Sequence, residues 1–287
     1  DDTNLGTQTD GDRTSGYWAT GTTAAFTDDS DTGKLLHMED NTDSAGNAET
    51  VTLNGSAAFS TTQAKFGSKS LLCASASSSY GSIGAGNDFD VGTGALTAEC
   101  WAYITSRTSA HQSLIGRWYS PNVWDMRWEA DDASNNFGLH DNSNMNNSGV
   151  QPPLNEWHHF AWTRDGSGDN NLWYDGALRV NWTNSNNQSL GTNDLYIGRL
   201  DASTYTTGFI DEVRLSTVER YTSAFTPNGS TSATGTLVQS ANSVTGTRTS
   251  VGGTMLYKDN AGTATLGSAD DLAIYFTCNG GTNWTEA

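Results

Sequence analysis

Asn155-Glu-Trp-His-His-Phe-Ala-Trp-Thr-Arg-Asp165, followed after a short polar turn by Asn171-Leu-Trp-Tyr-Asp-Gly-Ala-Leu-Arg-Val180, decides the fold of this chain. The first run has aromatic residues on alternating positions, the period of a β-strand whose successive side chains face opposite ways. It closes on Asp165-Gly-Ser-Gly-Asp-Asn170, a polar turn. The second run is split by Asp175-Gly176, a dipeptide suited to a type I′ hairpin because both central residues tolerate positive φ. The stretch therefore predicts an antiparallel meander of three strands. Adjacent His158 and His159 must point to opposite faces of that sheet, so they cannot share one ligand.

Composition agrees. The 287 residues suggest about two domains by length. Hydrophobic residues make up 35% and charged residues only 16%, with 31 glycines and much Ser, Thr and Asn. Ser, Thr and Asn compete with the helical backbone for hydrogen bonds, so this mixture favours short strands and turns. An all-β protein is expected. The net charge of −18, from 32 acidic and 14 basic residues, argues against a nucleic-acid surface, which needs a concentrated basic face. Most of the acidic excess reads as solubility, with divalent-cation binding reserved for one or two sites. Cys73, Cys100 and Cys278 lack the spacing of a zinc site or a disulfide scaffold. Cys73 and Cys100 are expected to be buried thiols, a bridge between them being the alternative. No apolar run approaches 18 residues, so no membrane insertion is expected. The chain lacks an initiator Met and a signal peptide, and reads as a mature product or a piece of something longer.

Residues 1–33 are rich in Asp, Thr, Gly and Ser and read as an arm or connector. Thirteen strand-like runs follow, from 34–38 to 208–216, separated by Gly, Asn and Asp turns. They predict a two-sheet antiparallel jelly-roll sandwich over residues 34–228. In one of them Trp124, Met126 and Trp128 alternate with Asp125, Arg127 and Glu129. A linker near Pro227 leads to a smaller β module over 229–287, with strands at 236–239, 254–258 and 272–277. That module reads as incomplete or as completed by another chain.

Four segments carry a family resemblance. They are Leu35-Leu-His-Met-Glu-Asp40 with Asp43-Ser-Ala-Gly-Asn47; Lys65-Phe-Gly-Ser-Lys-Ser-Leu-Leu72 with Tyr80-Gly-Ser-Ile83; Ala98-Glu-Cys-Trp-Ala-Tyr103 with the opening meander; and Leu195-Tyr-Ile-Gly198 with Gly208-Phe-Ile-Asp-Glu-Val-Arg-Leu215. In this order, over about 195 residues, they resemble the laminin-G-like, concanavalin A-like lectin/glucanase jelly rolls. A narrower resemblance, carried by residues 212–227, 263–267 and 275–286, is to marine bacteriophage tail-fibre and structural proteins.

The resemblance implies three kinds of site. Glucanases of the superfamily carry Glu-x-Asp-x-(x)-Glu on one strand, and a retaining hydrolase needs two carboxyls about 5–5.5 Å apart. The nearest match, Glu129-Ala-Asp131, lacks the closing acid, because Ala133 and Ser134 stand there. Catalysis is not expected, and no residue is assigned to it. A structural Ca²⁺ is implied between the opening region and the final strand, with Asp211, Asp40 and the backbone near Gly67 as carried-over ligands; the alternative is that Asp211 only hydrogen-bonds a neighbouring loop. For sugar binding, Trp118, Tyr119, Trp124 and Tyr205 lie in or near loops, whereas Trp101, Trp157, Trp162 and Trp173 read as core.

These features converge on a non-enzymatic virion structural or appendage protein, a phage fibre or decoration, displaying a lectin-like adhesion domain. Its expected partners are copies of itself, other virion proteins and a cell-surface glycan, in the virion or outside the cell. The alternatives are a secreted carbohydrate-binding module of a marine bacterium and a degenerate glycoside hydrolase.

Overall fold

A computed structural model describes residues 25–46, 49–84, 89–106, 111–118, 123–129, 136–142, 144–189, 193–201 and 204–228, together with short strand segments near the two chain ends. The chain falls into two compact units, residues 22–230 and residues 1–21 with 231–287.

In the smaller unit, β1 (Leu5–Thr9) pairs antiparallel with β19 (Thr236–Gln239), β2 (Gly11–Thr14) with β3 (Tyr17–Thr20), and β20 (Tyr275–Phe276) with β21 (Thr285–Glu286). The two ends of the chain thus contribute to one unit. The run expected at 254–258 and Cys278 lie outside the described residues.

The larger unit is a sandwich of two antiparallel sheets. One has seven strands in the order β13 (Asn144–Asn147), β12 (Phe137–Asp141), β11 (Trp124–Glu129), β10 (His111–Arg117), β17 (Leu195–Ile197), β8 (Tyr80–Ile83), β5 (Thr52–Asn54). The other has β16 (Ala177–Thr183), β15 (Asp169–Tyr174), β14 (Trp157–Arg164), β9 (Leu96–Ile104), β18 (Gly208–Ser216), β7 (Ser70–Cys73), β6 (Ala58–Ser60), with β4 (Thr32–Leu36) pairing the second half of β18. This is the jelly-roll architecture expected. All thirteen runs form strands; β5 and β13 are additional.

The opening meander is β14–β15–β16. Asp175 and Gly176 take φ of 48° and 74°, the two positive values a type I′ turn requires. Gly176 is needed twice over. A Cβ there would fall on the Phe225 carbonyl, while Phe225 N–H donates to the Gly176 carbonyl (3.0 Å). Asp165 closes the preceding turn by accepting from the N–H groups of Ser167 and Asp169, both at 2.8 Å. His158 and His159 diverge as alternation demands: His158 meets Asp175 and Tyr174, and His159 meets Glu99.

Alternation builds the core between the sheets. Trp124, Met126, Trp128, Phe137, Leu139, Leu195 and Ile197 from one sheet meet Ala98, Cys100, Phe160, Trp162 and Leu172 from the other. Cys73 and Cys100 are free and buried, and burial pushes both thiols up, Cys73 to about 12.

The outer face of the eight-stranded sheet is also sealed. Phe26, Leu35, Phe66 and Trp101 form a second apolar cluster there. Glu99 of β9 stands at its centre, fully buried. It accepts from Arg214 Nε and Nη2 (2.8 and 2.7 Å) and from the Tyr221 hydroxyl (2.8 Å), and pairs with His159 Nε2 (3.0 Å). Burial raises its carboxyl, but the His159 hydrogen bond and the Arg214 charge win, and the group sits below its ordinary value. Tyr221 stacks on Phe225 at 3.5 Å between centroids, so residues 217–227 form a lap over this network.

Candidate functional site

Asp211 sits at a bulge in β18. Asp211 pairs Trp101 and Arg214 pairs Glu99, so residues 212 and 213 stand opposite Cys100 alone, and Glu212 takes φ of 48°. The bulge lets both consecutive acids reach neighbouring loops. Asp211 Oδ2 accepts from the N–H groups of Lys65 and Phe66 (2.8 and 3.2 Å), and Oδ1 from the N–H of Glu212 (2.9 Å). Glu212 accepts from Phe26 N–H (2.9 Å) and pairs with His37 Nδ1 (2.7 Å). Burial dominates Asp211 and pushes its carboxyl up to about 7. The Glu212 hydrogen bond raises His37.

A cleft of about 340 Å³ opens beside this bulge, lined by Ala25, His37, Glu39, Asp40, Thr42, Ser44, Phe66, Gly67 and Glu212. Asp40 and Gly67 therefore meet there, while Asp211 is not part of the wall. The donor set does not fit the cation that the resemblance implies. Three of the roughly four acceptor positions of Asp211 are taken by main-chain N–H groups. Glu39, packed against Gly67, is bound to the N–H groups of Ser68 and Lys69 (2.6 and 2.9 Å). Asp40 accepts from Thr42 N–H (2.8 Å). Among the described residues no group of three or more His, Cys, Asp or Glu converges as a metal site.

The four aromatic candidates part company. Trp124 is a correction. It is fully buried between the sheets, its ring 5.5 Å from that of Trp162, because it shares the inward face with Met126 and Trp128. It cannot offer a face to a sugar. Tyr119 lies outside the described residues. Trp118 and Tyr205 both lie on the outer face of the seven-stranded sheet. Trp118 packs on His140 (4.8 Å) and under the Arg127 guanidinium (5.2 Å).

Tyr205 belongs to a cluster that sequence reasoning missed. The registers of β11, β12, β10, β17, β8 and β5 align His140, Asp125, Gly116, Tyr196, Ser82 and Thr52 in one outward row. Beside Tyr196 stand Tyr80 and Arg199. The Arg199 guanidinium lies 4.6 Å from the Tyr80 ring centroid and 4.5 Å from that of Tyr196. Its Nη1 donates to the Tyr80 hydroxyl (2.7 Å) and its Nε to the Asp201 carbonyl (2.9 Å). Tyr80 packs edge-on to Tyr196 (5.7 Å) and tilted against Tyr205 (5.9 Å). An antiparallel bridge between Arg199 and Tyr205 fixes the loop. Asn54 and the Ser82 hydroxyl, 3.3 Å apart, and exposed Thr52 border the cluster. The patch thus presents half-buried Tyr80 and Arg199 with small polar groups, backed by the largely buried rings of Tyr196 and Tyr205, 8% and 9% exposed.

Residues 75–224 match the family described as the concanavalin A-like lectin/glucanases superfamily. This chain belongs to that superfamily. Domain 4 of the arabinanase AbnA from Geobacillus stearothermophilus, solved with arabinotriose, is similar in fold: TM-score 0.51 and 18% identity, covering 65% of this chain and 92% of that one. The botulinum neurotoxin serotype D binding domain is also similar, with TM-score 0.50 and 12% identity over 67% of this chain and 48% of that one. The chain thus spans about half the length of that binding domain. No curated protein matches it.

Within the concanavalin A-like superfamily, hydrolysis rests on paired carboxylates. The outward row carries Asp125 as its single carboxylate, bound by the Ser113 hydroxyl. Asp131 lies outside the described residues. Glu99 with His159 looks like an acid–base pair, but both are fully buried under the 217–227 lap. A general acid or base must come within hydrogen-bond reach of substrate, which the lap prevents there. No helix among the described residues is long and apolar enough to cross a membrane.

Proposed function

We propose that the chain is a non-enzymatic, lectin-like adhesion protein that binds a glycan on the outer face of the seven-stranded sheet, over Tyr80 and Arg199, with Tyr196 and Tyr205 packed behind them. The observation that carries this reading is the Arg199 guanidinium set against the Tyr80 and Tyr196 rings, 4.6 and 4.5 Å from their centroids, on an outward face bordered by Asn54, Ser82 and Thr52. Sugar rings are recognised by aromatic faces together with a few placed polar groups, and this patch supplies both from β8, β17 and the loop after it. A domain of the same fold has been solved with arabinotriose, which is in keeping with a short saccharide as ligand.

The finer setting we propose is the virion or the extracellular space, with the smaller unit joining the sandwich to copies of itself or to another virion protein. That setting rests on the resemblance of residues 212–227 to phage appendage proteins. Much of this segment lies in the lap over Glu99, so part of its pattern answers to packing. A secreted carbohydrate-binding module has the same patch and the same ligand class. Electron microscopy of the full chain separates the two: symmetric multimers favour the appendage, monomers the secreted module.

The test of binding is a glycan array probed with the full chain and with Tyr80→Ala. Saccharide binding by the wild type, lost in the variant while its melting temperature holds, supports the reading. Binding that survives Tyr80→Ala moves the site elsewhere. Release of reducing sugar from any bound glycan overturns the non-enzymatic assignment.

A further inference from the structure

The chain carries 14 basic residues against 32 acidic ones, so a cation without a carboxylate partner stands out. Among the described residues Arg199 is such a cation. Among the described residues its hydrogen bonds go to a phenol oxygen and a main-chain carbonyl, both neutral. By contrast, Arg214 is paired with Glu99, and Arg220 with Asp29 at 2.8 Å. Arg164 and Arg117 also have neutral partners, but both are buried, Arg164 held by the carbonyls of Gly92, Gly94 and Asn186 and Arg117 by that of Ser189. Arg199 is only half-buried.

We infer that Arg199 makes the patch selective for sugars bearing an anionic group, a uronate carboxylate or a sulfate ester. This rests on the glycan-binding reading above and narrows its substrate class. Two tyrosine rings and two hydrogen bonds hold the guanidinium in place, so little side-chain freedom is lost when it binds. Nε and one Nη1 hydrogen are engaged by Asp201 and Tyr80, and Nη2 points to no protein acceptor among the described residues. Nη2 and the second Nη1 hydrogen form the fork that carboxylates and sulfates accept from. The Tyr80 hydroxyl, accepting from Arg199, has its own proton to donate to the same ligand. The net charge of −18 sets the ligand's size. A long polyanion is repelled by the rest of the surface, whereas a short oligosaccharide with one acidic sugar meets mainly the local cation.

The experiment probes an array of neutral, uronate-containing and sulfated oligosaccharides with the full chain, then titrates the best binder and its neutral counterpart by calorimetry. The wild type is expected to prefer the acidic form by about tenfold or more, the scale of one charge-assisted hydrogen bond. Arg199→Gln should abolish that preference, Arg199→Lys should keep part of it, and all three proteins should melt alike. The uronate and sulfate arms identify which anion is read. Equal affinity for acidic and neutral forms, or a preference that survives Arg199→Gln, overturns this inference and leaves the glycan reading standing. Binding of no saccharide at all overturns both. If Arg199→Gln lowers the melting temperature, Arg199→Lys decides: it must retain more acidic preference than Gln, or the role of Arg199 is structural.

Discussion

Glu99→Gln is the substitution with the largest expected consequence for so small a change in shape. Glu99 is fully buried and takes four hydrogen-bond contacts, two from Arg214, one from Tyr221 and one from His159. The amide keeps the volume but removes the charge that Arg214 faces. It also turns an N–H₂ group toward groups that are themselves donors. Breaking one side of a buried ion pair costs about 3–5 kcal/mol, because the surviving charge is left uncompensated. A domain of this size loses about 2–4 °C of melting temperature per kcal/mol, so the expected drop is roughly 6–20 °C. Differential scanning calorimetry of the full chain measures it. Tyr221→Phe, which removes one hydrogen bond and keeps the stacking on Phe225, should cost only about 1 kcal/mol. A Glu99→Gln drop under about 2 °C, well short of the buried-pair range, would refute the claim that this network holds the 217–227 lap to the sheet.

Three further outcomes follow from the same geometry. Trp124→Ala should cost about 3–5 kcal/mol in chemical denaturation, as a large buried ring lost from the core, whereas Tyr80→Ala should leave stability nearly intact and act on binding. Calcium added against a chelator should move the melting temperature by less than about 1 °C, because a ligand that does not bind the folded state cannot stabilise it; a clear upward shift would restore the cation site. As pH rises through about 7, the value to which Asp211 is pushed, and past the ordinary His range, the joint contribution of Asp211 and His37 to stability should fall. His37 is raised by Glu212, so its contribution is present below its ordinary value and lost as pH climbs through the folded one. Asp211, pushed up to about 7, favours the protonated fold, so stability declines as pH passes from its unfolded value to its folded one. Melting curves of the wild type and His37→Gln check this: the variant should show a flatter profile, and a flat or rising wild-type profile would contradict it.

The strands were readable because alternation and Asn, Asp and Gly turns are local signals. Within the sandwich two strands escaped, and the arm expected at 1–33 holds β1, β2 and β3. β5 (Thr-Leu-Asn) and β13 (Asn-Met-Asn-Asn) are short, polar edge strands, held by pairing with β8 and β12 rather than by an apolar face. Trp124 lies near the turn before β11, which suggested a loop position, but its alternation with Met126 and Trp128 places it on the buried face. The tyrosine patch was largely hidden. Tyr80, Tyr196, Arg199 and Tyr205 come from β8, β17 and the loop after it, and only the sheet register brings them together. A hint was available: Tyr196 and Ile197 must face opposite ways, and a Tyr outward with an Arg three residues on marks a polar aromatic surface. Asp211 meets the segment before Gly67 through N–H groups, at a bulge that no sequence pattern announced.

The central claim is that a saccharide sits on the outer face of the seven-stranded sheet. A crystal structure of the full chain with the strongest saccharide from the array tests it most directly. The account predicts a sugar ring against Tyr80, with an oxygen of the ligand on Arg199. A ring bound instead in the cleft beside His37 and Glu212, or against Trp118 alone, would contradict it.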